Sequence, residues 1–231
     1  MFVKLDFTGL NLAGKQIGDK IYTNCKFTGC DFSKAHMEGS KFYNCFFSSC
    51  CFDDTDLSGV KFSDCHISGC SIVEADLSGT LFWLTSITST SFVGSNLHGT
   101  IFKTCDLDSG DGLVDFSQCN FMFSRWSCCK LDNVDLEFTD FSGAIMVCCT
   151  LRGAHLVRAT LEAVRLESVD FSGCNLTGSQ FIKTNLSGLD FVGANLVGTS
   201  FTECDLSRSD FSSAETREMK VSKCSTKGQI V

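Results

Sequence analysis

The sequence of 231 residues contains no proline, and it has only two Tyr and two Trp beside 22 Phe. Proline lacks a backbone N–H donor and is excluded from the centre of a sheet. Its absence therefore favours a fold that uses almost every backbone N–H. No stretch approaches the roughly 18 consecutive apolar residues of a membrane-spanning helix, so we expect no such helix.

Charge is moderate and acidic. Charged residues make up 20% and hydrophobic residues 43% of the chain, which is typical of an ordered protein. The formal net charge of −8 argues against direct nucleic-acid binding and leaves open a basic protein partner. The first residues, MFVKLDFTG, reach Asp6 without a long apolar run, so they do not indicate a secretory signal. We expect a cytoplasmic protein whose 16 Cys are reduced.

Motifs that carry chemistry are also scarce. The sequence contains no G-x-S-x-G, no phosphate-binding loop and no dinucleotide-binding fingerprint. The four histidines are spread along the chain and are predicted to be isolated at the surface: His36, His66, His98 and His155. We therefore expect no cofactor, no metal and no enzymatic activity.

What the sequence does contain is a five-residue repeat. Positions 2 to 107 in steps of five, and then 116 to 211, are 42 centres that are all apolar or aromatic, and they hold 19 of the 22 Phe. Two residues before a centre, 36 of 41 positions are Ala, Cys, Ser, Thr or Val, and 12 of the 16 Cys lie there. Two residues after a centre lie 16 of the 20 Gly. The residue before the centre is often Asp or Asn.

The repeats "ADLSG" (75–79), "ANLVG" (194–198) and "CDFSK" (30–34) resemble the pattern A(D/N)LXX of pentapeptide-repeat proteins. The resemblance extends over about residues 1–213 and implies an all-β fold, a right-handed quadrilateral β-helix with four pentapeptides per coil and about ten coils. Centres and small residues would point inward, where a large side chain beside a small one fills a narrow interior. A stacked coil advances by about the 4.8 Å strand spacing.

The repeat is interrupted once. The step from Leu107 to Phe116 is nine residues, which predicts a four-residue insertion at 110–113, consisting of Gly110, Asp111, Gly112 and Leu113. Such a loop on a smooth rod is either a harmless corner or a partner contact. Residues 214–231 lose the large centres and are predicted to form a degenerate last coil or a C-terminal cap.

Twenty residues per coil assign each side chain to one of four sides. The first side is centred on residues 12, 32, 52, 72, 92, 116, 136, 156, 176 and 196, and the second on 17 to 97 and 121 to 201. Their net charges are −5 and −6. They carry the predicted acidic partner-binding surface: Asp31, Asp53, Asp54, Asp56, Asp76, Asp115, Asp135 and Asp140. The family's preference for Asp at this repeat position accounts for part of this acidity.

The third side, centred on 2 to 102 and 126 to 206, has a net charge of +4, and the fourth side lies between it and the first. The third side also carries outward apolar residues, which we interpret as a contact strip for a partner or a dimer, or as scattered surface residues. We name this set the apolar strip: Tyr43, Leu81, Trp83, Leu84 and Ile101.

Pentapeptide-repeat proteins that confer quinolone resistance resemble duplex DNA in width and charge and bind type II topoisomerases. The resemblance therefore implies an acidic, DNA-mimicking rod that binds DNA gyrase and protects it from quinolones. The tail AETREMKVSKCSTKGQIV lacks the apolar helical segment through which that subgroup dimerises, so a monomer and a homodimer both stay open. The alternative is a generic interaction scaffold or a host-directed bacterial effector that uses the apolar strip.

Overall fold

The structure, a computed structural model, describes residues 1–107 and 112–230. Within these ranges the chain forms short parallel strands and isolated bridges, and no helix. None of the described segments is thus a helix that could cross a membrane. The chain winds into a solenoid of about 11 turns. The predicted quadrilateral β-helix is confirmed, with one turn more than expected because the C-terminal tail continues the winding.

Full strands form on three of the four sides, at three residues or fewer each. The third side is a nine-stranded sheet of β1 Phe2–Val3, β3 Ile21–Thr23, β5 Lys41–Tyr43, β7 Lys61–Ser63, β9 Leu81–Trp83, β11 Ile101–Lys103, β12 Arg125–Ser127, β13 Ile145–Val147 and β15 Arg165–Glu167. The N-terminal part of the fourth side is a five-stranded sheet of β2 Asp6–Thr8, β4 Lys26–Thr28, β6 Phe46–Ser48, β8 His66–Ser68 and β10 Ser86–Thr88. The C-terminal part of the second side is a four-stranded sheet of β14 Thr160–Glu162, β16 Gln180–Ile182, β17 Ser200–Thr202 and β18 Lys220–Ser222.

The first side is joined by isolated bridges, which run in steps from Asn11 to Glu215. Every coil is bonded to the next through the backbone. The N–H of Asp56 donates to the carbonyl of Ala35 at 3.0 Å, and that of Leu57 donates to Asp76 at 2.7 Å. A proline at such a position would leave one carbonyl without its donor. This accounts for the absence of proline from the sequence.

Within the described residues, the second residue after each centre turns the chain at a corner. It adopts positive φ, as at Gly79 (65°) and at Leu84 (52°). This conformation is sterically strained for an L-residue with a Cβ and is not strained for glycine. The concentration of glycine at this position follows from the corner geometry.

The core is a set of ring stacks that run along the axis. On the third side, the centroids of Tyr22 and Phe42 lie 4.8 Å apart, and the stack continues from Phe42 through Phe62 and Phe82 to Phe102 at 4.8–5.2 Å. These centres are almost fully buried beyond the first coil. The small residues before them share the interior, as predicted for a narrow core.

Bridge partners are 20 residues apart except at one level of the rod. There Ser91 pairs with Asp115 and Asn96 with Asn120, and Ile101 pairs with Arg125, an offset of 24 on each side. The interruption between Leu107 and Phe116 therefore adds length to one corner and shifts no side relative to another. The side assignments made from the sequence hold on both halves of the rod.

The C-terminal tail forms one more coil. Strand β18 pairs with β17, and Ser225 and Ile230 bridge to Asp205 and Asp210. Its centre positions are the exposed residues Thr216, Val221 and Thr226. Under this coil, the centres Phe201, Leu206 and Phe211 are buried.

Candidate protein-interaction surfaces

The predicted acidic surface lies on two adjoining sides of the rod. Asp31, Asp53, Asp54, Asp115 and Asp135 lie on the first side and Asp56, Asp76 and Asp140 on the second. Asp54 is exposed and the others are half-buried. Asp56 and Asp76 are direct bridge partners, as are Asp115 and Asp135, whereas Asp140 has the neutral residues Asn120 and Thr160 as its bridge neighbours. The structure thus brings the eight carboxylates onto one half of the rod and makes two close pairs.

Six of the eight carboxylates also hold the turn in which they lie. The backbone N–H two residues later donates to one carboxylate oxygen at 2.8–3.0 Å in Asp31, Asp56, Asp76, Asp115, Asp135 and Asp140. This is an Asx turn. It explains the preference for Asp or Asn before a centre.

Asp31 illustrates the electrostatic consequence. The hydroxyl and the backbone N–H of Ser33 both donate to its Oδ1, at 2.6 and 2.9 Å. These hydrogen bonds lower the pKa of the Asp31 carboxyl below its ordinary value. Asp53 is held differently, since its Oδ1 accepts from the hydroxyl of Ser71 and the N–H of Val73 in the next coil.

The apolar strip is brought together on the third side. Leu81 and Ile101 are strand partners, and Tyr43 and Trp83 lie two coils apart in one outward row. Tyr43, Trp83, Leu84 and Ile101 are 38–47% exposed, while Leu81 is half-buried. An open depression of about 390 Å³ lies between the coils and is lined by Tyr43, Asn44, Ser63, Asp64, Trp83 and Leu84. The strip is therefore concave at Ser63.

Half of the predicted loop can be located. Gly112 and Leu113 are described, whereas Gly110 and Asp111 lie outside the described residues. The carbonyl of Gly112 accepts a hydrogen bond from the N–H of Ser89 in the preceding coil, at 3.3 Å. The side chain of Leu113 is 63% exposed, and Val114 after it is buried. The repeat resumes directly behind Leu113.

The expectation that the four histidines are isolated is wrong. His66 stacks on Phe46 and His98 contacts Phe123 edge to face, and the other two lie beside carboxylates. His36 lies with Glu38 and Asp56, and His155 lies with Asp135 and Glu137. In each group one ligand atom per residue lies within 4.8 Å of the others. A Zn²⁺ ion needs N and O ligands at about 2 Å, so these side chains would have to move inward to hold one. Both groups follow from the 20-residue ladder, which places His36 below Asp56 and Asp135 below His155.

The repeat itself is found by family models. The model described as "Pentapeptide repeat region" matches residues 35–111 and 164–229, and that described as "Pentapeptide repeats (8 copies)" matches 114–147, 135–173 and 144–181. The chain belongs to the pentapeptide repeat family. No curated protein matches its sequence.

Solved structures similar to this pentapeptide repeat protein include HetL, a protein involved in heterocyst differentiation regulation from the cyanobacterium Nostoc sp. strain PCC 7120. It is 22% identical, with 95% of this chain and 90% of HetL covered and a TM-score of 0.43. Full-length QnrB1, a plasmid-mediated fluoroquinolone resistance protein, is 17% identical, with 95% and 92% covered and a TM-score of 0.34. A protein from the thylakoid lumen of Arabidopsis thaliana is 21% identical, with 54% and 66% covered and a TM-score of 0.24.

The cysteines of this pentapeptide repeat protein divide by position. Twelve are buried, Cys51 and Cys224 are half-buried, and Cys128 and Cys148 are exposed. Buried thiols donate to backbone carbonyls, as Cys65 does to Phe42 at 3.5 Å. Burial raises the pKa of the Cys119 and Cys174 thiols. These two therefore act as small buried residues, and not as thiolates.

Proposed function

We propose that this chain is a non-catalytic, protein-binding solenoid whose first and second sides dock on a basic groove that otherwise holds duplex DNA. A type II topoisomerase such as DNA gyrase is the partner class that fits best, with protection from quinolones as the consequence and a reducing cytoplasm as the setting. The observation that carries the proposal is the excess of acidic residues on two adjoining sides of the rod. Their outward repeat positions sum to −11 up to Glu203 and to −10 with the last coil, in a chain whose total is −8.

The charge density of the two sides limits how closely the rod can imitate duplex DNA. About 11 turns at roughly 4.8 Å each give a rod of about 50 Å. The two acidic sides then present about one net charge per 5 Å, against about one per 1.7 Å in duplex DNA. The third side is net positive, so the charge of the rod imitates DNA on only part of its circumference. We therefore expect binding that is weaker and less salt-dependent than that of DNA, and that needs a matching shape as well.

The test is DNA gyrase supercoiling with purified protein, with and without a titrated fluoroquinolone. Protection or inhibition that weakens with salt supports the proposal. The informative variant replaces Asp53, Asp54, Asp56 and Asp76 by Asn, which removes four charges and keeps an acceptor oxygen for the turns at Asp56 and Asp76. Asn occupies the same position naturally at Asn96, where its Oδ1 accepts the N–H of His98 at 3.2 Å.

The matched control is Asp64→Asn on the third side, which removes one charge outside the acidic sides. We expect the fourfold variant to lose the effect on gyrase and Asp64→Asn to keep it. No effect of the wild-type protein at micromolar concentration would exclude gyrase as the partner.

A second candidate function is supported by the concave apolar strip: an interaction scaffold that binds its partner through Trp83. The substitutions Trp83→Ala and Leu84→Ser would abolish binding of such a partner, whereas the fourfold Asp→Asn variant would keep it. The two candidates thus predict opposite responses to the two sets of substitutions, in a pull-down that uses the intact protein as bait.

A further inference from the structure

The outward row of the third side contains a gap between two aromatic rings. Tyr43 pairs with Ser63 across one coil, and Ser63 pairs with Trp83 across the next. Tyr43 is 39% and Trp83 45% exposed, whereas Ser63 between them is only 8% exposed although it points outward. The two aromatic side chains therefore form the walls of the depression, and Ser63 forms its floor.

The inward row of the same three coils shows that aromatic rings stack when one lies on each coil. Phe42, Phe62 and Phe82 stack with centroid distances of 5.2 and 5.1 Å and interplanar angles of 10° and 8°. Two coils span about 10 Å, which is the room that one ring needs between two others. The outward row has the first and third rings of such a stack and lacks the second.

The charged residues near the depression favour a ligand of one sign. Lys41 and Lys61 are strand partners two residues before Tyr43 and Ser63 of the row, and Lys103 pairs with Trp83 one coil further along. Asp64 is the one acidic residue among those that line the depression. Three lysines against one carboxylate on this part of the third side favour an acidic ligand. The acidic first side lies on the opposite face of the rod. The acidic second side adjoins the third side at the edge where Lys41 and Lys61 lie, so these lysines lie between it and the row of Tyr43 and Trp83.

We propose that the slot between Tyr43 and Trp83 binds one aromatic side chain of a partner protein, in a segment where acidic residues flank that side chain. The ring stacks over Ser63 between the two walls, and the acidic neighbours pair with Lys41, Lys61 and Lys103. This inference rests on the second candidate function, docking through the apolar strip, and it does not depend on the acidic sides.

Trp83 itself reports on the slot. The chain has two tryptophans, and the other, Trp126, is 1% exposed. The probe is the peptide Glu-Asp-Phe-Asp-Glu, blocked at both ends, with Glu-Asp-Leu-Asp-Glu and Lys-Lys-Phe-Lys-Lys as controls. We expect the Phe peptide to shift the emission of Trp83 to the blue, to protect it from acrylamide and to saturate. Stacking on two ring faces adds affinity beyond the area that a side chain buries, so the Leu peptide is expected to bind about tenfold more weakly.

The decisive variant is Ser63→Phe, which supplies the missing ring from the protein itself. We expect it to abolish peptide binding while the unfolding temperature stays the same or rises. The matched control is Thr23→Phe, which adds a ring to the same row on the far side of Tyr43 and leaves the slot open. That variant is expected to bind as the wild type does.

Three outcomes would overturn the inference: equal affinity for the Phe and Leu peptides, unchanged binding in Ser63→Phe, or slot-dependent binding of oligothymidylate without binding of the peptide. The last would assign the slot to single-stranded nucleic acid. The slot and the docking function can be told apart. A protein partner that is lost in Trp83→Ala but retained in Ser63→Phe would support docking through the apolar strip and contradict the slot, whereas a partner retained in both variants would contradict both.

Discussion

The ring of Trp126 lies 3.9 Å from that of Phe102, centroid to centroid, and parallel to within 7°. The two residues are 24 apart in the chain, as are the stacked rings of Phe92 and Phe116, whereas the other stacked pairs are 20 apart. Its Nε1 donates to the hydroxyl of Ser124 at 2.9 Å. The largest centre in the chain is thus accommodated in the coil next to the interruption, without a break in the stack. Trp126 joins the two halves of the rod.

This position predicts a large effect on stability. Replacing Trp126 with Ala removes a fully buried ring, and we expect a loss of about 3–5 kcal/mol in the free energy of unfolding. Trp126→Phe keeps a ring that is the commonest centre in the chain and is expected to lose less than half as much. Chemical denaturation followed by circular dichroism measures both. Equal losses in the two variants would show that the stack is not what holds this level together.

At Asp76 the effect of losing the charge can be separated from the effect of losing the hydrogen-bond acceptor of the Asx turn. We expect Asp76→Ala to destabilise the protein by about 0.5–1.5 kcal/mol, because the N–H of Ser78 loses its acceptor. Asp76→Asn keeps the acceptor and should leave the free energy of unfolding within about 0.5 kcal/mol of the wild type. Thermal and urea unfolding of the three proteins checks this, and a destabilised Asn variant would contradict the role of the turn.

Asp170 predicts how stability depends on pH. Partial burial disfavours its charged form, but hydrogen bonds from Ser172 and the 2.6 Å ion pair with Arg152 outweigh it and lower the pKa of the carboxyl. A lowered pKa in the folded state stabilises the protein above the ordinary pKa of Asp, near 3.8, and the contribution is lost as pH falls below it.

The measurement for Asp170 compares the wild type with Asp170→Asn in denaturant at pH 7 and at pH 3. We expect the wild type to be more stable at pH 7 and the difference to shrink at pH 3. Arg152→Met, which removes the ion pair and keeps the Ser172 bonds, should lose only part of the difference. A difference that is constant with pH would show that the charge of Asp170 contributes nothing.

Thiol accessibility tests the packing of the interior. In the folded protein we expect Ellman's reagent to modify Cys128 and Cys148 rapidly, because both are exposed. Cys51 and Cys224, which are half-buried, should react more slowly, and the twelve buried thiols only on unfolding. The double variant Cys128→Ser and Cys148→Ser removes the fast phase if the assignment is correct. More than two fast thiols in the folded state would mean that the coils open.

The period of five determined the fold because it assigns every centre and every small residue to the interior. It could not tell which sides form full strands. The centre Phe121 lies among bridges on the second side, whereas Leu161, two coils further on the same side, lies in strand β14. That difference depends on backbone angles within each pentapeptide, and both centres are equally apolar.

The candidate surfaces were predictable in part. The side of each acidic residue follows from its number, but the use of Asp76 in a turn depends on a hydrogen bond to Ser78. The His155 group was missed because the histidines were judged as single residues. The ladder that places His155 beside Asp135 was already in the sequence. The slot over Ser63 was missed for the same reason, since Tyr43 and Trp83 were considered as one strip.

The uniform advance per coil has a consequence for any partner. Bridge partners such as Asp56 and Asp76 are one strand spacing apart, and Tyr43 and Trp83 are two apart. The axial separation of two outward side chains within either half of the rod is therefore fixed by the difference between their residue numbers. Outward side chains therefore lie at multiples of one spacing along the axis. A protein that binds the rod has to place its contacting groups at multiples of the same spacing.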